Sequence, residues 1–85
     1  MNVEDVKSLL QKDFSDATIQ VVGEDSNFSV DIVTAVFEGQ SRFQRQKSVL
    51  ATMKEHIVSG DIHAFNVNAY TPAEWEKAQQ TITIL

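Results

Sequence analysis

The sequence predicts a single compact domain of the α/β class (α+β), with elements in the order α-β-β-α-β-α. Three segments carry apolar residues at helical spacing, and three others are strand-like, two of them alternating in polarity. A strand–helix–strand connection is right-handed and makes the second and third strands parallel, whereas a hairpin makes the first two antiparallel. We therefore expect a three-stranded mixed sheet covered by helices, and 85 residues suffice for one domain spanning residues 1–85.

The N-terminal part is predicted to form a helix followed by a β-hairpin. Apolar residues recur at helical spacing between residues 3 and 14, behind Asn2, which is suited to cap the helix. Residues 17–22 and 28–32 then alternate in polarity, and the polar turn cluster Gly23–Asn27 separates them. Two such strands joined by a short polar loop are typical of a hairpin.

A second, long helix is predicted between residues 41 and 59, ended by Gly60. Its apolar residues share one predicted face: Phe43, Val49, Leu50, Met53 and Ile57. Arg42 would intrude into that face if the helix were continuous from Ser41. We therefore expect a turn or break near residues 42–47, with the main helix beginning just after it.

The C-terminal part predicts a third strand, Ile62–Ala69, that leads directly into a third helix. The junction combines an N-cap, a first-turn proline, a capping-box glutamate and a flanking aromatic pair: Thr71, Pro72, Glu74, and Tyr70 with Trp75. The helix is expected to reach about Gln80. The β-branched segment Thr81–Leu85 fits either a frayed tail or an extra edge contact.

Composition excludes several classes of function. The chain has no cysteine, which removes disulfides, thiolate catalysis and self-sufficient iron–sulfur ligation. No nucleophile–base set and no phosphate-cradling glycine loop is visible, so we expect neither enzymatic activity nor a small-molecule substrate. No apolar run is long enough to span a bilayer and no signal peptide is apparent, so we expect a cytoplasmic protein without membrane association.

The net charge of −5 is unevenly distributed. Residues 39–60 hold four bases and one acid, a local charge of +3, while the flanking regions are acidic. Arg42, Arg45 and Lys47 therefore predict a basic patch for a phosphate backbone or an acidic partner, although a solvated helix start explains them equally well. An acidic chain is repelled by phosphate overall, so any DNA binding should be weak and sensitive to salt.

His63 is the candidate with the most chemical potential, because it lies at the predicted start of the third strand. It shares strand parity with Phe65, Val67 and Ala69. Taken alone, the pattern favours a half-buried histidine whose ring bonds a neighbouring carbonyl over a ligand or proton-binding group. His56, near the end of the second helix, is expected to interact with the helix dipole.

The sequence is similar to the BolA-like proteins, especially their short YrbA type. The resemblance covers nearly the whole chain, and its most specific part is Ile62-His63-Ala64 followed by Ala69-Tyr70-Thr71-Pro72-Ala73-Glu74-Trp75. It implies a fold like a type II KH domain and a cytosolic, non-catalytic role in iron–sulfur cluster handling and stress response. It also implies that monothiol glutaredoxin is the partner and that His63 is a ligand of a [2Fe–2S] cluster bridging the two proteins.

Two departures from the family pattern bear on that implication. Many relatives carry a second His or Cys between the first two strands, where this chain has Asn27, leaving one certain ligand or a weaker oxygen donor such as Asp25. Gln46 also replaces a further histidine that relatives often have after Arg45. Two alternatives therefore stay open: a DNA-binding transcriptional regulator that uses residues 42–47, and a metal-free protein–protein module.

Overall fold

The computed structural model describes residues 1–83, with side chains described up to residue 79. Its elements are α1 (Val3–Asp13), β1 (Thr18–Glu24), β2 (Asn27–Val33), a short 3-10 helix (Ala35–Phe37), α2 (Arg42–Ser59), β3 (Ala64–Tyr70) and α3 (Pro72–Thr83). The strand order is β1-β2-β3. β1 pairs with β2 antiparallel and β2 pairs with β3 parallel, as the sequence predicts.

The core lies between one face of the sheet and helices α1 and α2. Alternate residues along β2 are buried beneath the helices, whereas the intervening ones face away from them. The buried set combines residues from most elements: Val6, Leu10, Ile19, Phe28, Val30, Ile32, Phe37, Val49, Met53, Ile62 and Val67. On the other face, exposed side chains bond across the β2–β3 pair, as between Asn68 and Asp31 at 3.1 Å.

Local signals place the ends of the helices close to their predicted positions. Asn2 and Asp5 form a reciprocal capping box at the start of α1. Thr71 and Glu74 do the same for α3, and the rings of Tyr70 and Trp75 pack edge-to-face with centroids 5.1 Å apart. Gly60 ends α2 with a positive φ of 90°, a conformation that costs glycine no side-chain clash.

The prediction of a break near residues 42–47 is wrong. α2 is continuous from Arg42, because Ser41 caps it and the side chain of Gln44 bonds back to the backbone N–H of Ser41. Arg42 does not intrude into the core, since its side chain is exposed at the first turn. The residue that the helix turns inward there is Arg45, which lies in line with Val49 and Met53.

The prediction of a single apolar face on α2 is also wrong. Val49 and Met53 are fully buried, but Phe43 is 75% exposed and Ile57 is 36% exposed. The apolar arc of this helix is wider than the surface the sheet can cover, so one side of it faces solvent.

The third strand and helix are each shifted from the predicted bounds. β3 begins at Ala64, so His63 precedes the strand. α3 continues to Thr83, which makes the first part of the undecided segment 81–85 helical, and residues 84 and 85 lie outside the described residues. Within residues 1–83, none of the helices combines the length and apolar character needed to cross a bilayer.

Candidate functional site

His63 lies immediately before β3 with its side chain exposed. Its backbone N–H donates to the carbonyl oxygen of Ser26 at 2.7 Å, and the N–H of Ala64 donates to the same oxygen at 3.2 Å. These bonds fix the backbone of residue 63 against the β1–β2 turn. The imidazole takes part in none of the hydrogen bonds found among the described residues, so the half-buried, carbonyl-bonded histidine does not occur here.

The β1–β2 turn that holds His63 is short and has a demanding geometry. Asp25 and Ser26 form its two central residues, and Asp25 has a positive φ of 57°. Gly23 has a φ of 139°, and a Cβ at that position would collide with the carbonyl oxygen of Asn27. The turn is thereby held close to the sheet, where its Ser26 carbonyl meets the start of β3.

Asn27 is brought next to the candidate ligand by the strand register. It pairs with Ala64, the residue immediately after His63, in the parallel β2–β3 ladder. The position where relatives are expected to carry a second ligand is therefore one register step from His63. An amide is the side chain here, and it is exposed.

The chemical capacity of this site is one exposed imidazole. No group of three or more His, Cys, Asp or Glu residues in the described part of the chain could hold a metal ion. A [2Fe–2S] cluster takes four ligands, usually thiolates, with imidazole able to replace some of them. The residues present therefore fit one ligand of a shared cluster, and a partner must supply the rest, since the chain has no cysteine.

The predicted basic patch is only partly assembled. Arg42 and Lys47 are exposed, but Arg45 is 8% exposed, so the expectation that all three present a charged surface is wrong for Arg45. Its Nε donates to the carbonyl oxygen of Gln40 at 3.0 Å and its Nη1 to that of Ala69 at 3.2 Å. The structure thus reduces the surface available to phosphate or an acidic partner to two cations.

Arg45 is bound on its outer side by a carboxylate that the sequence had assigned only to helix capping. Nη1 and Nη2 of Arg45 contact Oε1 and Oε2 of Glu74 at 2.6 Å and 3.3 Å, a bidentate ion pair between α2 and α3. Oε1 of Glu74 also accepts the N–H of Thr71 at 3.0 Å. The Arg45 spacing of four and eight residues from Val49 and Met53 was the available signal for its burial.

The ion pair changes the acidity of Glu74. The hydrogen bonds from the Arg45 guanidinium, followed by the bond from the backbone of Thr71, lower the pKa of the Glu74 carboxyl from 4.5 to about 2. Because its pKa is lowered to about 2, the Glu74 carboxyl stays charged near neutral pH. It serves as a tie between two helices and lies at the opposite end of β3 from His63.

His56 lies in the last turn of α2, where a cation favours the helix dipole. Its Nδ1 is 3.5 Å from Oδ2 of Asp61, just beyond the end of the helix, and its side chain is half-buried. His56 therefore has a local partner and is separate from the exposed His63.

Comparison with known proteins agrees with this architecture. The family model described as BolA-like protein matches residues 5–74. The acid stress protein IbaG of Escherichia coli (strain K12) is 36% identical over 77 residues, covering 91% of this chain and 92% of that protein. Its name attributes to that protein a role in acid stress.

Solved structures of BolA proteins have the same fold. A BolA protein homologue from Coxiella burnetii superposes with a TM-score of 0.78 at 28% identity, covering 89% of this chain and 97% of that one. A structure described as a bol-like protein from Babesia bovis gives a TM-score of 0.79 at 28% identity, covering 93% of this chain and 94% of that one. From its sequence match over residues 5–74 and its shared fold, the chain belongs to the BolA-like protein family.

Proposed function

We propose that this chain is a non-catalytic accessory protein of iron–sulfur cluster handling that binds a monothiol glutaredoxin in the cytoplasm. His63 would supply one imidazole ligand to a [2Fe–2S] cluster shared between the two proteins, and the partner would supply the thiolates. The similarity to the acid stress protein IbaG supports a role under stress.

The exposed imidazole of His63 is the observation that carries the proposal. The backbone N–H groups of His63 and Ala64 both donate to the carbonyl oxygen of Ser26, which anchors the backbone that carries the ring, and the imidazole itself has no hydrogen bond among the described residues. When bound, the cluster supplies a labile, redox-active iron site. The chain itself anchors the backbone of His63 and leaves the imidazole accessible to a partner.

A mixing experiment tests the role of His63 directly. Adding the protein to glutathione-loaded holo-glutaredoxin is expected to change the visible circular dichroism of the cluster, and His63→Ala should abolish the change. His56→Ala is the matched control, because that histidine is bound to Asp61 at the end of α2 and should leave the spectrum as in the wild type.

Two results would contradict cluster sharing. One is a spectrum that the wild-type protein leaves unchanged, and the other is an equal change with His63→Ala. Native mass spectrometry of the same mixtures separates a cluster-bridged heterodimer from one without iron. Detection of a heterodimer without iron would support glutaredoxin as the partner and would contradict the shared cluster.

The position of Asn27 offers a gain-of-function experiment. Because Asn27 pairs with Ala64 beside His63, Asn27→His would place a second imidazole one register step from the first. We expect the mixed complex to retain its cluster longer in the presence of a chelator. Val22→His, on the exposed face of β1, is the control that adds a histidine elsewhere and should give the wild-type rate of cluster loss.

The DNA-binding alternative is weakened by the burial of Arg45. Arg42 and Lys47 remain exposed, and two phosphate contacts would give a slope of about −2 when the logarithm of affinity is plotted against that of salt. A titration against duplex DNA at two salt concentrations measures this slope. Absence of binding at low salt removes the alternative.

A further inference from the structure

The outer side of α2 carries an apolar strip that no described residue covers. Phe43 is 75% exposed, Val58 is 77% exposed and Ile57 is 36% exposed, while Leu50 is half-buried. Phe43, Leu50 and Ile57 follow one another at intervals of seven residues, so they form a line along the helix. Lys47 and Lys54 stand beside this line, and we call these six residues the α2 strip.

The strip has the spacing by which one helix recognises another. Phe43, Leu50 and Ile57 repeat at the seven-residue interval of helix-to-helix packing, and the positions at i+4 and i+11 on the same face are the cations Lys47 and Lys54. Apolar residues in line, rather than scattered singly, are the kind of exposed patch that marks an interaction surface. The strip runs nearly the full length of α2, from its first turn to its last.

The two lysines indicate the charge of the occupant. Neither Lys47 nor Lys54 forms an ion pair among the described residues, and their helical neighbours at three and four residues are all uncharged, most of them apolar. This absence is notable in a chain of net charge −5. Acidic side chains flanking the apolar face of a partner would supply the missing counter-charges.

A second copy of the chain fits the strip poorly. Two α2 helices packed antiparallel through the same face would bring the Lys47 and Lys54 side chains of both copies together. Like charges juxtaposed at an interface disfavour association. The charge pattern therefore favours a different protein over self-association.

We propose that the α2 strip is a docking surface for an amphipathic helix of another protein whose apolar face is flanked by Asp and Glu. The strip shares no residue with the start of β3, so this interaction goes beyond the proposed cluster function and does not depend on it. Such a surface lets the protein hold a partner while His63 stays accessible.

A labelled synthetic helix of about three heptads, with Leu at the seam and Glu on both flanks, is a suitable probe. Its binding to the full chain is followed by fluorescence anisotropy. We expect it to bind at least about tenfold more tightly than the same peptide with Lys in place of Glu, and to weaken as salt screens the charges. A scrambled acidic peptide of equal composition should not bind.

Two pairs of substitutions test the strip itself. Phe43→Ser with Val58→Ser should weaken binding at least about tenfold, since these are the two most exposed apolar side chains of the strip and a partner would bury them. Lys47→Glu with Lys54→Glu should reverse the preference for acidic over basic peptides, so that the Lys-flanked peptide binds more tightly than the Glu-flanked one. Matched controls are Val22→Ser, which removes an exposed valine from the sheet, and Lys7→Glu with Lys12→Glu, which changes net charge equally on α1.

All substituted residues are exposed, so the fold should survive, and far-ultraviolet circular dichroism checks that it does. Equal binding of the acidic, basic and scrambled peptides would overturn the proposal, as would unchanged binding after the Phe43 and Val58 substitutions. Sedimentation of the wild-type chain as a dimer that Phe43→Ser dissociates would also overturn it, because the strip would then be a self-association surface.

Discussion

The two ends of β3 differ in how their polar groups are used. At the start, His63 is exposed and only its backbone is bonded, to the carbonyl of Ser26. At the end, Arg45 and Glu74 form a bidentate pair, and Glu74 also caps α3. The difference teaches that a side-chain ion pair links α2 and α3 at one end, whereas the His63 imidazole at the other end has no hydrogen bond among the described residues.

The two ends therefore differ in what a substitution should cost the fold. An exposed side chain without internal bonds, such as that of His63, can be replaced at little structural cost. The tie between α2 and α3 has the opposite property, because Arg45 also bonds the carbonyl of Ala69 on the free edge of β3. Substitutions at the two ends should therefore affect different measurements.

Arg45→Met should have the largest effect on stability. It keeps most of the apolar stem but leaves the partly buried carbonyls of Gln40 and Ala69 without their donor, which costs about 1–3 kcal/mol of unfolding free energy. Urea unfolding followed by circular dichroism measures the loss. Arg42→Met, which replaces an exposed arginine in the first turn of the same helix, is the control. Equal losses of unfolding free energy for the two variants would contradict a stabilising role for the Arg45 hydrogen bonds.

Glu74→Gln should have a smaller effect that depends on pH. Glutamine can still accept the N–H of Thr71, so the change removes chiefly the charge that Arg45 binds. The folded-state pKa of Glu74 is lowered to about 2, so its contribution to stability is complete above pH 4.5 and is lost as the pH falls towards 2. The stability difference between the wild type and Glu74→Gln should therefore shrink over that interval.

Unfolding by urea at several pH values between 2 and 7 gives this profile for Glu74→Gln. Glu55→Gln, an exposed carboxylate on α2, is the control and should show no comparable convergence. A difference that is constant with pH would mean that the Arg45–Glu74 pair does not contribute through its charge.

His63→Ala should have the smallest effect on stability, within about 0.5 kcal/mol, because an exposed side chain without internal bonds is removed. The same variant should lose the cluster-dependent change in circular dichroism. The comparison of the two ends fails if His63→Ala destabilises the chain as strongly as Arg45→Met.

Local sequence signals predicted the elements and their order. The capping residues Asn2, Thr71 and Glu74, and the terminating Gly60, act over three or four residues and can be recognised in isolation. The alternation of the hairpin strands and the right-handed connection then give the strand order. The same elements predicted His63 as the second residue of the third strand, and the structure places it one residue before that strand.

The rotation of α2 about its axis could not be predicted in the same way. Its apolar residues span too wide an arc to indicate which part faces the sheet, so Phe43 was expected inside and Arg45 outside. The burial of Arg45 depends on Ala69 and Glu74, which lie 24 and 29 residues away in sequence. Burial of a cation is stable only with such partners, and no local pattern contains them.

The sequence by itself determined the order of the elements, their caps, the sheet topology and the absence of thiolate ligands, because these depend on near neighbours or on composition. Only the tertiary structure decided that the imidazole of His63 is exposed, that Arg45 is withdrawn from the basic patch and that the α2 strip faces solvent. Each of these depends on how segments that are distant in sequence pack together, because the sheet can cover only part of the side chains that a helix or loop presents to it.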